Sequence, residues 1–425
     1  MPKIIIDRSL SYIEGTQRVL DEKGTLEKTK SNLDKIGVTR IASITDLDRV
    51  GIPVFSAIRP SSADGAISVY SGKGSVEGQA RISAMMESFE RCLAERKGVN
   101  RNVTEDVAVP HTINSYDGIR EIIDAIDPNT LLLPEACSRD QLIEWMIGWD
   151  LMKNQEVAVP ANAVYHPYDN PGQTLKLFRS NTNGLAAGNT IEEAIFHGLL
   201  EVIERDALST AEFNRHPEKQ IILTEEDGDN YEILQKFKEK DIEVKLWLLA
   251  HDTDITTVVA ATDDIKLKDP ALLVMGAGSH LKPEIAVRRA LTEAAQSRVV
   301  QIHGAREDTN REEFVRNIGY DRMKRLNNYW YEDRETTTLA EMKDISKDNP
   351  AQSIDVTLEQ LGRIADRAIV VDLSRESIPV PVIRVIIPSF EVYTLDRERQ
   401  GLRVKSGKQR KMPREERPWK RRARR

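Results

Sequence analysis

Carboxylates and guanidinium groups recur along this chain at intervals that suit phosphate and metal chemistry. Glu193, Glu201 and Glu204 stand at i, i+8 and i+11. At about 100° per residue they share, with His197, one helical stripe roughly 80° wide. Ala194, Ile195, Leu199, Val202 and Ile203 supply the apolar side of the same helix. An earlier segment repeats the stripe with Gln79, Ser83, Glu87 and Glu90, and a later one repeats it loosely with Arg289, Glu293 and Gln296. Gly74 precedes Glu87 by the spacing with which Gly188 precedes Glu201, and both runs continue as Glu-x-x-Glu-Arg, ending in Arg91 and Arg205.

Carboxylates stacked on one stripe repel each other unless a cation or an arginine neutralises them, and burial raises the cost. One reading leaves each Glu facing solvent, with Glu87 paired to Arg91 and Glu193 closing a capping box on Thr190. Against it, Glu201 sits among Leu199, Leu200, Val202 and Ile203. The functional reading is a magnesium–phosphate site. Mg²⁺ takes oxygen ligands and is commonly shared between a few carboxylates and substrate phosphates. Glu87, Glu90, Glu193, Glu201 and Glu204 would hold the ion, while Lys73, Arg91, Arg205 and Arg289 would meet phosphate oxygens. Glycine turns ahead of the helices would offer backbone N–H groups to the anion. The Gly72-Lys73-Gly74 segment fits neither a Walker A loop nor G-x-G-x-x-G.

The elements that must position these residues interleave as α/β (α+β) without a clear linker, read as one continuous domain. Strands are expected over Ile52–Ile58, Ala66–Tyr70, Leu175–Arg179, Leu272–Met275, Ala368–Leu373 and Val380–Ile387. Hairpins are expected from Trp145–Leu151 with Val157–Val164, and from Glu243–Leu249 with Thr256–Ala261. Helices are expected over Thr25–Ile36, Val76–Lys97, Gly118–Ile126, Ile191–Phe213 and Pro283–His303.

The chain has 425 residues, 40% of them hydrophobic and 30% charged, enough for a sizeable core. Cys92 and Cys137 are its two cysteines, which excludes a disulfide framework and a cysteine-built metal site. No segment reads as a signal peptide or membrane span, so a cytoplasmic setting is expected. Formal net charge is -7, yet the segment from Val404 to Arg425 is about +9 and the rest about -16. An acidic body argues against nucleic acid as the main ligand.

Several blocks together closely resemble the YcaO family: Ser71-Gly72-Lys73-Gly74, Ser83–Arg91, Asn183–Thr190, Gly198–Asp206, Asp46–Val54 and Ile378–Val382. The resemblance covers about residues 25–403, leaving an N-terminal extension over 1–24 and the basic tail over 404–425. Gly15-Thr16-Gln17-Arg18 and Thr25-Leu26 are similar to the methanogen branch, methanogenesis marker protein 1. That resemblance implies a single domain of mixed sheets and packed helices, and ATP- and Mg²⁺-dependent activation of a peptide backbone amide. In the methanogen branch it implies a thioglycine in the α subunit of methyl-coenzyme M reductase, sulfide as nucleophile, a TfuA-type partner, and a homodimer. Matched residue by residue, it places the metal carboxylates on Glu87, Glu90, Glu193, Glu201 and Glu204. Nucleotide contacts fall on Asn189, Arg289 and Glu293, with Ser71 and Lys73 in the first phosphate-facing turn, and Arg205 matches the Arg after the second Glu pair. The ending lacks the Pro-x-Pro-x-Pro of azoline-forming members, which disfavours cyclodehydration; azoline or amidine formation stays the alternative enzyme reading. A third reading is an ATP-binding scaffold docking a partner through its basic tail. His197 and Cys92 are expected to be packed residues.

Overall fold

The structure is a computed structural model that describes residues 3–13, 17–96, 111–304 and 311–405. Gly15-Thr16 and the basic tail beyond residue 405 therefore lie outside the described residues. In chain order the helices are α1 (Glu22–Lys30), α2 (Glu77–Leu93), α3 (Tyr116–Arg120), α4 (Ile191–Asn214), α5 (Asp229–Lys238), α6 (Pro283–His303), α7 (Arg311–Ile318), α8 (Tyr320–Leu326), α9 (Pro350–Leu361) and α10 (Leu402–Lys405). The strands are β1 (Arg40–Ser43), β2 (Val54–Ile58), β3 (Val69–Lys73), β4 (Thr112–Asn114), β5 (Ile143–Asp150), β6 (Gln155–Pro160), β7 (Leu185–Ala187), β8 (Lys219–Ile221), β9 (Ile242–Leu248), β10 (Thr256–Asp264), β11 (Met275–His280), β12 (Thr336–Thr337), β13 (Ile369–Asp372) and β14 (Val382–Ile386). The mixed α/β class matches the sequence reading.

Two compact units form, each from separated stretches of chain. One comprises Met1–Leu20, Phe89–Phe213 and Lys347–Arg425, the other Asp21–Ser88 and Asn214–Ser346. The first unit holds a sheet ordered β4-β5-β13-β14-β7, with β6 paired to β5. Its pairings are antiparallel, with Val382, Ile383 and Arg384 of β14 opposite Ala187, Ala186 and Leu185 of β7. The second unit holds the sheets β1-β2-β3 and β11-β10-β9-β8-β12. Its core gathers Phe237, Leu246, Val258, Ala290 and Leu291, all buried.

Small residues let strand and helix meet at backbone distance. Gly276 of β11 lies so near α6 that an added Cβ would stand 2.1 Å from the Ala294 nitrogen and 2.3 Å from the Ala290 oxygen. Gly72 of β3 approaches α2 similarly, its Cβ meeting the Ala84 nitrogen at 1.9 Å. Backbone atoms cannot swing aside as a side-chain tip can, so overpacking here forces the whole strand outward. Gly276→Ala is therefore expected to destabilise by about 1–3 kcal/mol, read as a lower denaturant midpoint; a midpoint equal to the wild type's would show that the strand has room.

The hairpins, α4 and α6 fall where the sequence places them, and other boundaries move. Ala66–Tyr70 gives way to Val69–Lys73, so Ser71, Gly72 and Lys73 lie in a strand and not in a turn. Gly276 and Gly278 likewise lie inside β11, after a short 3₁₀ turn over Pro270–Leu272. Gly118–Ile126 is helical over Tyr116–Arg120 alone. Thr25–Ile36 divides into α1 and a 3₁₀ turn over Asp34–Ile36. Leu175–Arg179 is not a strand: Asn162 Oδ1 accepts the Leu177 N–H at 2.7 Å, and Asn162 Nδ2 donates to the Phe178 carbonyl at 3.2 Å. One amide side chain does the work of a neighbouring strand.

Candidate functional site

In the unit that contains α4, the stripe is largely enclosed. Glu193 and Glu204 are 2% and 3% exposed and Glu90 is buried, whereas Glu201, Arg205, Arg91 and His197 are half-buried. The solvent-facing reading of the stripe therefore falls. The start of α4 explains why Glu193 turns inward. Its N–H donates to Thr190 Oγ1 at 3.3 Å, and its Oε2 accepts the Asn189 N–H at 2.9 Å. The carboxylate thus reaches back to Asn189, one residue before the Thr190 N–H that a capping box would use. Oε1 accepts the Val19 N–H at 2.6 Å, and Arg18 Nη1 stands 4.0 Å from Oε2. The neighbouring Glu192 accepts the Asp7 N–H at 2.8 Å, so two adjacent carboxylates anchor the N-terminal stretch.

Glu90, in the last turns of α2, accepts the Ala187 N–H at the end of β7 at 2.8 Å. This bond ties the first Glu-x-x-Glu-Arg run to the turn that opens the second. Arg205 Nη2 stands 3.7 Å from Glu204 Oε1. The repeat seen in the sequence recurs in space. A Cβ on Gly74 would stand 2.6 Å from the Ala80 nitrogen, and one on Gly188 would stand 2.6 Å from the Ala194 nitrogen. The glycines let the entering chain lie against the first turn of each helix.

The other unit carries Ser71, Lys73, Glu87, Arg289 and Glu293, all half-buried. Lys73 Nζ is hydrogen-bonded to Glu293 Oε2, and Gln296 Nε2 donates to the Ser71 carbonyl at 2.6 Å. Lys73, Glu293, Ser71 and Gln296 are thus assembled between β3 and α6. The Lys73 ammonium is thus already neutralised by a carboxylate and is not an isolated charge.

Among the described residues no three acidic, His or Cys side chains converge closely enough to cage a metal unaided. Mg²⁺ is usually held by one or two carboxylates together with substrate phosphates and water, so these side chains would hold it only with oxygens that a substrate and water bring. The donor set also fits a nucleotide triphosphate, since it offers both carboxylates for a metal and the guanidinium groups of Arg91, Arg205 and Arg289 for phosphate oxygens.

Sequence reasoning missed two residues of this region. Arg384 lies in β14 and is 4% exposed; burial, with Arg399 and Arg91 nearby, brings its pKa down to about 10 against the opposing pull of Glu201. The signal was a lone Arg inside the apolar run Val380–Ile387. His166 has its Nδ1 3.2 Å from Ser180 Oγ. Burial, then the positive charge of Arg91 and Arg384, lowers its pKa to about 4. The folded protein therefore refuses a proton that the unfolded chain accepts once the pH falls below about 6.5. The stability that neutral His166 contributes is full above that pH and declines between about 6.5 and 4. His166→Asn should flatten the fall in thermal midpoint across this window; a slope equal to the wild type's would assign the acid sensitivity to other groups.

Among the described residues no helix is long and apolar enough to cross a membrane. Residues 71–391 match a family described as YcaO cyclodehydratase, ATP- and Mg²⁺-binding. An uncharacterized protein of Methanothermobacter thermautotrophicus is 51% identical across 90% of this chain and 97% of its own length. A Rhizobium leguminosarum protein encoded in the tfuA 3′ region is 30% identical across 88% of this chain and 89% of its own. The solved YcaO of Methanopyrus kandleri, bound with AMPPCP and Mg²⁺, is 30% identical and superposes with a TM-score of 0.72, covering 90% of this chain and 95% of that one. A heterocyclase in complex with substrate and cofactor shares the fold, with a TM-score of 0.79 at 21% identity over 95% of this chain and 57% of that one.

Proposed function

From the premise that this chain belongs to the YcaO family, we propose that it converts a peptide backbone amide to a thioamide using ATP, Mg²⁺ and sulfide. Sulfide adds to the amide carbon, the amide oxygen leaves as phosphate, and the balance is amide plus hydrosulfide plus ATP to thioamide plus ADP plus phosphate. Magnesium-bound ATP supplies the phosphoryl group that turns a poor leaving oxygen into a good one.

The observation that carries the reading is the face of α4, where Glu193 and Glu204 are buried and Glu201 is half-buried among the buried Leu199, Leu200, Val202 and Ile203. Such a stripe has a reason to exist if it holds a cation. In that unit Glu90, Glu193, Glu201 and Glu204 are the assigned oxygen donors, and Arg91, Asn189 and Arg205 orient phosphate oxygens. Within the other unit Glu87 is assigned to the metal, and Ser71, Lys73, Arg289 and Glu293 to the nucleotide. Each group positions and neutralises charge; none is assigned as a general base.

In this reading the product is a thioamide and the substrate the methyl-coenzyme M reductase α subunit, as the resemblance to the methanogen branch implies; the relative encoded in the tfuA region supports a TfuA-type protein as the sulfur-delivering partner. A homodimer in the cytoplasm belongs to the same reading. The test is the intact mass of that substrate after incubation with enzyme, ATP, Mg²⁺ and sulfide. Replacement of one oxygen by one sulfur supports the reading. Loss of one water without added sulfide would instead establish cyclodehydration.

A further inference from the structure

Arg384 sits inside β14, opposite Val371 of β13 and Leu185 of β7. Its guanidinium donates from Nη2 to Asn181 Oδ1 at 3.2 Å, while Nε and Nη1 are buried without a protein acceptor. Arg298 and Arg403, also buried, are matched to carboxylates. Arg298 donates to Asp48 at 2.8 Å and to Asp264 at 3.0 Å, and Arg403 to Asp206 at 2.8 Å. Among the described residues no carboxylate forms an ion pair with Arg384. Glu201 acts on it only through space, and the neighbouring charges of Arg91 and Arg399 repel it. Arg399 is itself committed, donating to the Leu131 and Leu132 carbonyls and lying over the Phe178 ring with its guanidinium carbon 3.8 Å from the centroid.

A buried guanidinium with two unused donor nitrogens and repelling neighbours is unfavourable in the absence of an anion. Its planar set of N–H groups suits the oxygens of a phosphate. We infer that Arg384, supported by Asn181, forms a buried subsite for a phosphate-type oxyanion. The oxyanion is either a phosphate group of the nucleotide or the orthophosphate that the reaction releases. Its place in a reaction rests on the phosphoryl-transfer reading above; its existence as a binding site does not.

The test uses calorimetric titration of the full chain with orthophosphate alone and with AMPPCP and Mg²⁺ alone. The variants are Arg384→Met and Asn181→Asp. Arg384→Met removes the donors and should weaken binding at least tenfold. Asn181→Asp keeps the arginine but sets an internal carboxylate against it, so it should weaken binding comparably while raising the thermal midpoint. Loss confined to orthophosphate identifies the released product as the ligand; loss of AMPPCP affinity, with or without it, identifies the nucleotide's own phosphates. If neither ligand loses affinity in either variant, the inference is overturned. Neither titration contains peptide or sulfide, so a failed thioamidation assay leaves this result standing.

Discussion

Glu204→Gln gives a folded protein whose ATP-dependent turnover falls by about two to three orders of magnitude. The substitution keeps the shape of the side chain and removes its charge. Glu204 is 3% exposed, in the middle of a helix whose neighbours Val202 and Ile203 are buried, so the amide has no alternative placement in solvent. The change also withdraws the negative charge 3.7 Å from Arg205, which weakens the hold on the guanidinium assigned to orient phosphate oxygens. Glu201→Gln, one turn earlier on the same stripe, should behave alike. ADP release under saturating nucleotide gives the rate, and circular-dichroism melting gives the fold. Turnover within a factor of three of wild type at an unchanged melt would remove Glu204 from the machinery.

Asp206→Ala, by contrast, should act on stability, lowering it by roughly 3–5 kcal/mol, the usual cost of removing one member of a buried ion pair. Asp206 is fully buried and accepts from Arg403 Nε at 3.0 Å and Nη2 at 2.8 Å, and from the Glu391 N–H at 2.8 Å. Without it the Arg403 guanidinium loses its bonds to the Asp206 carboxylate, and the Glu391 N–H loses its bond to Asp206, in the interior. The double variant Asp206→Ala/Arg403→Met should recover part of the loss, because no stranded cation remains. Urea unfolding of the three variants checks both statements. A double variant as unstable as the sum of its parts would mean that the two residues act independently.

The sequence made α6 and nearly all of α4 legible because small and apolar residues recur at helical spacing over five or more turns. The two hairpins were legible because alternating apolar runs flank short polar turns. Where reading failed, a competing interaction decided the outcome. Leu175–Arg179 looks like a strand, yet Asn162 supplies its hydrogen bonds. Ser71-Gly72-Lys73 looks like a phosphate-binding turn because of its glycine, yet that glycine is there so that β3 can lie against α2. The stripe of Glu193, Glu201 and Glu204 followed from periodicity alone. The partner of Lys73 could not be read the same way, since Glu293 lies 220 positions away in the chain. Nor could the setting of Arg384, whose neighbours Arg91 and Asn181 come from two distant stretches.

The order of strands in the first unit bears on how the chain is born. Strands β5 and β7 leave the ribosome early, but the strands that separate them in the finished sheet, β13 and β14, end only at Ile386. Until synthesis has nearly finished, both early strands carry unmet backbone donors and acceptors, an invitation to wrong pairing. The helix bearing the acidic stripe accordingly gains its supporting floor among the last events of biogenesis, so truncated translation products would be idle and prone to aggregate.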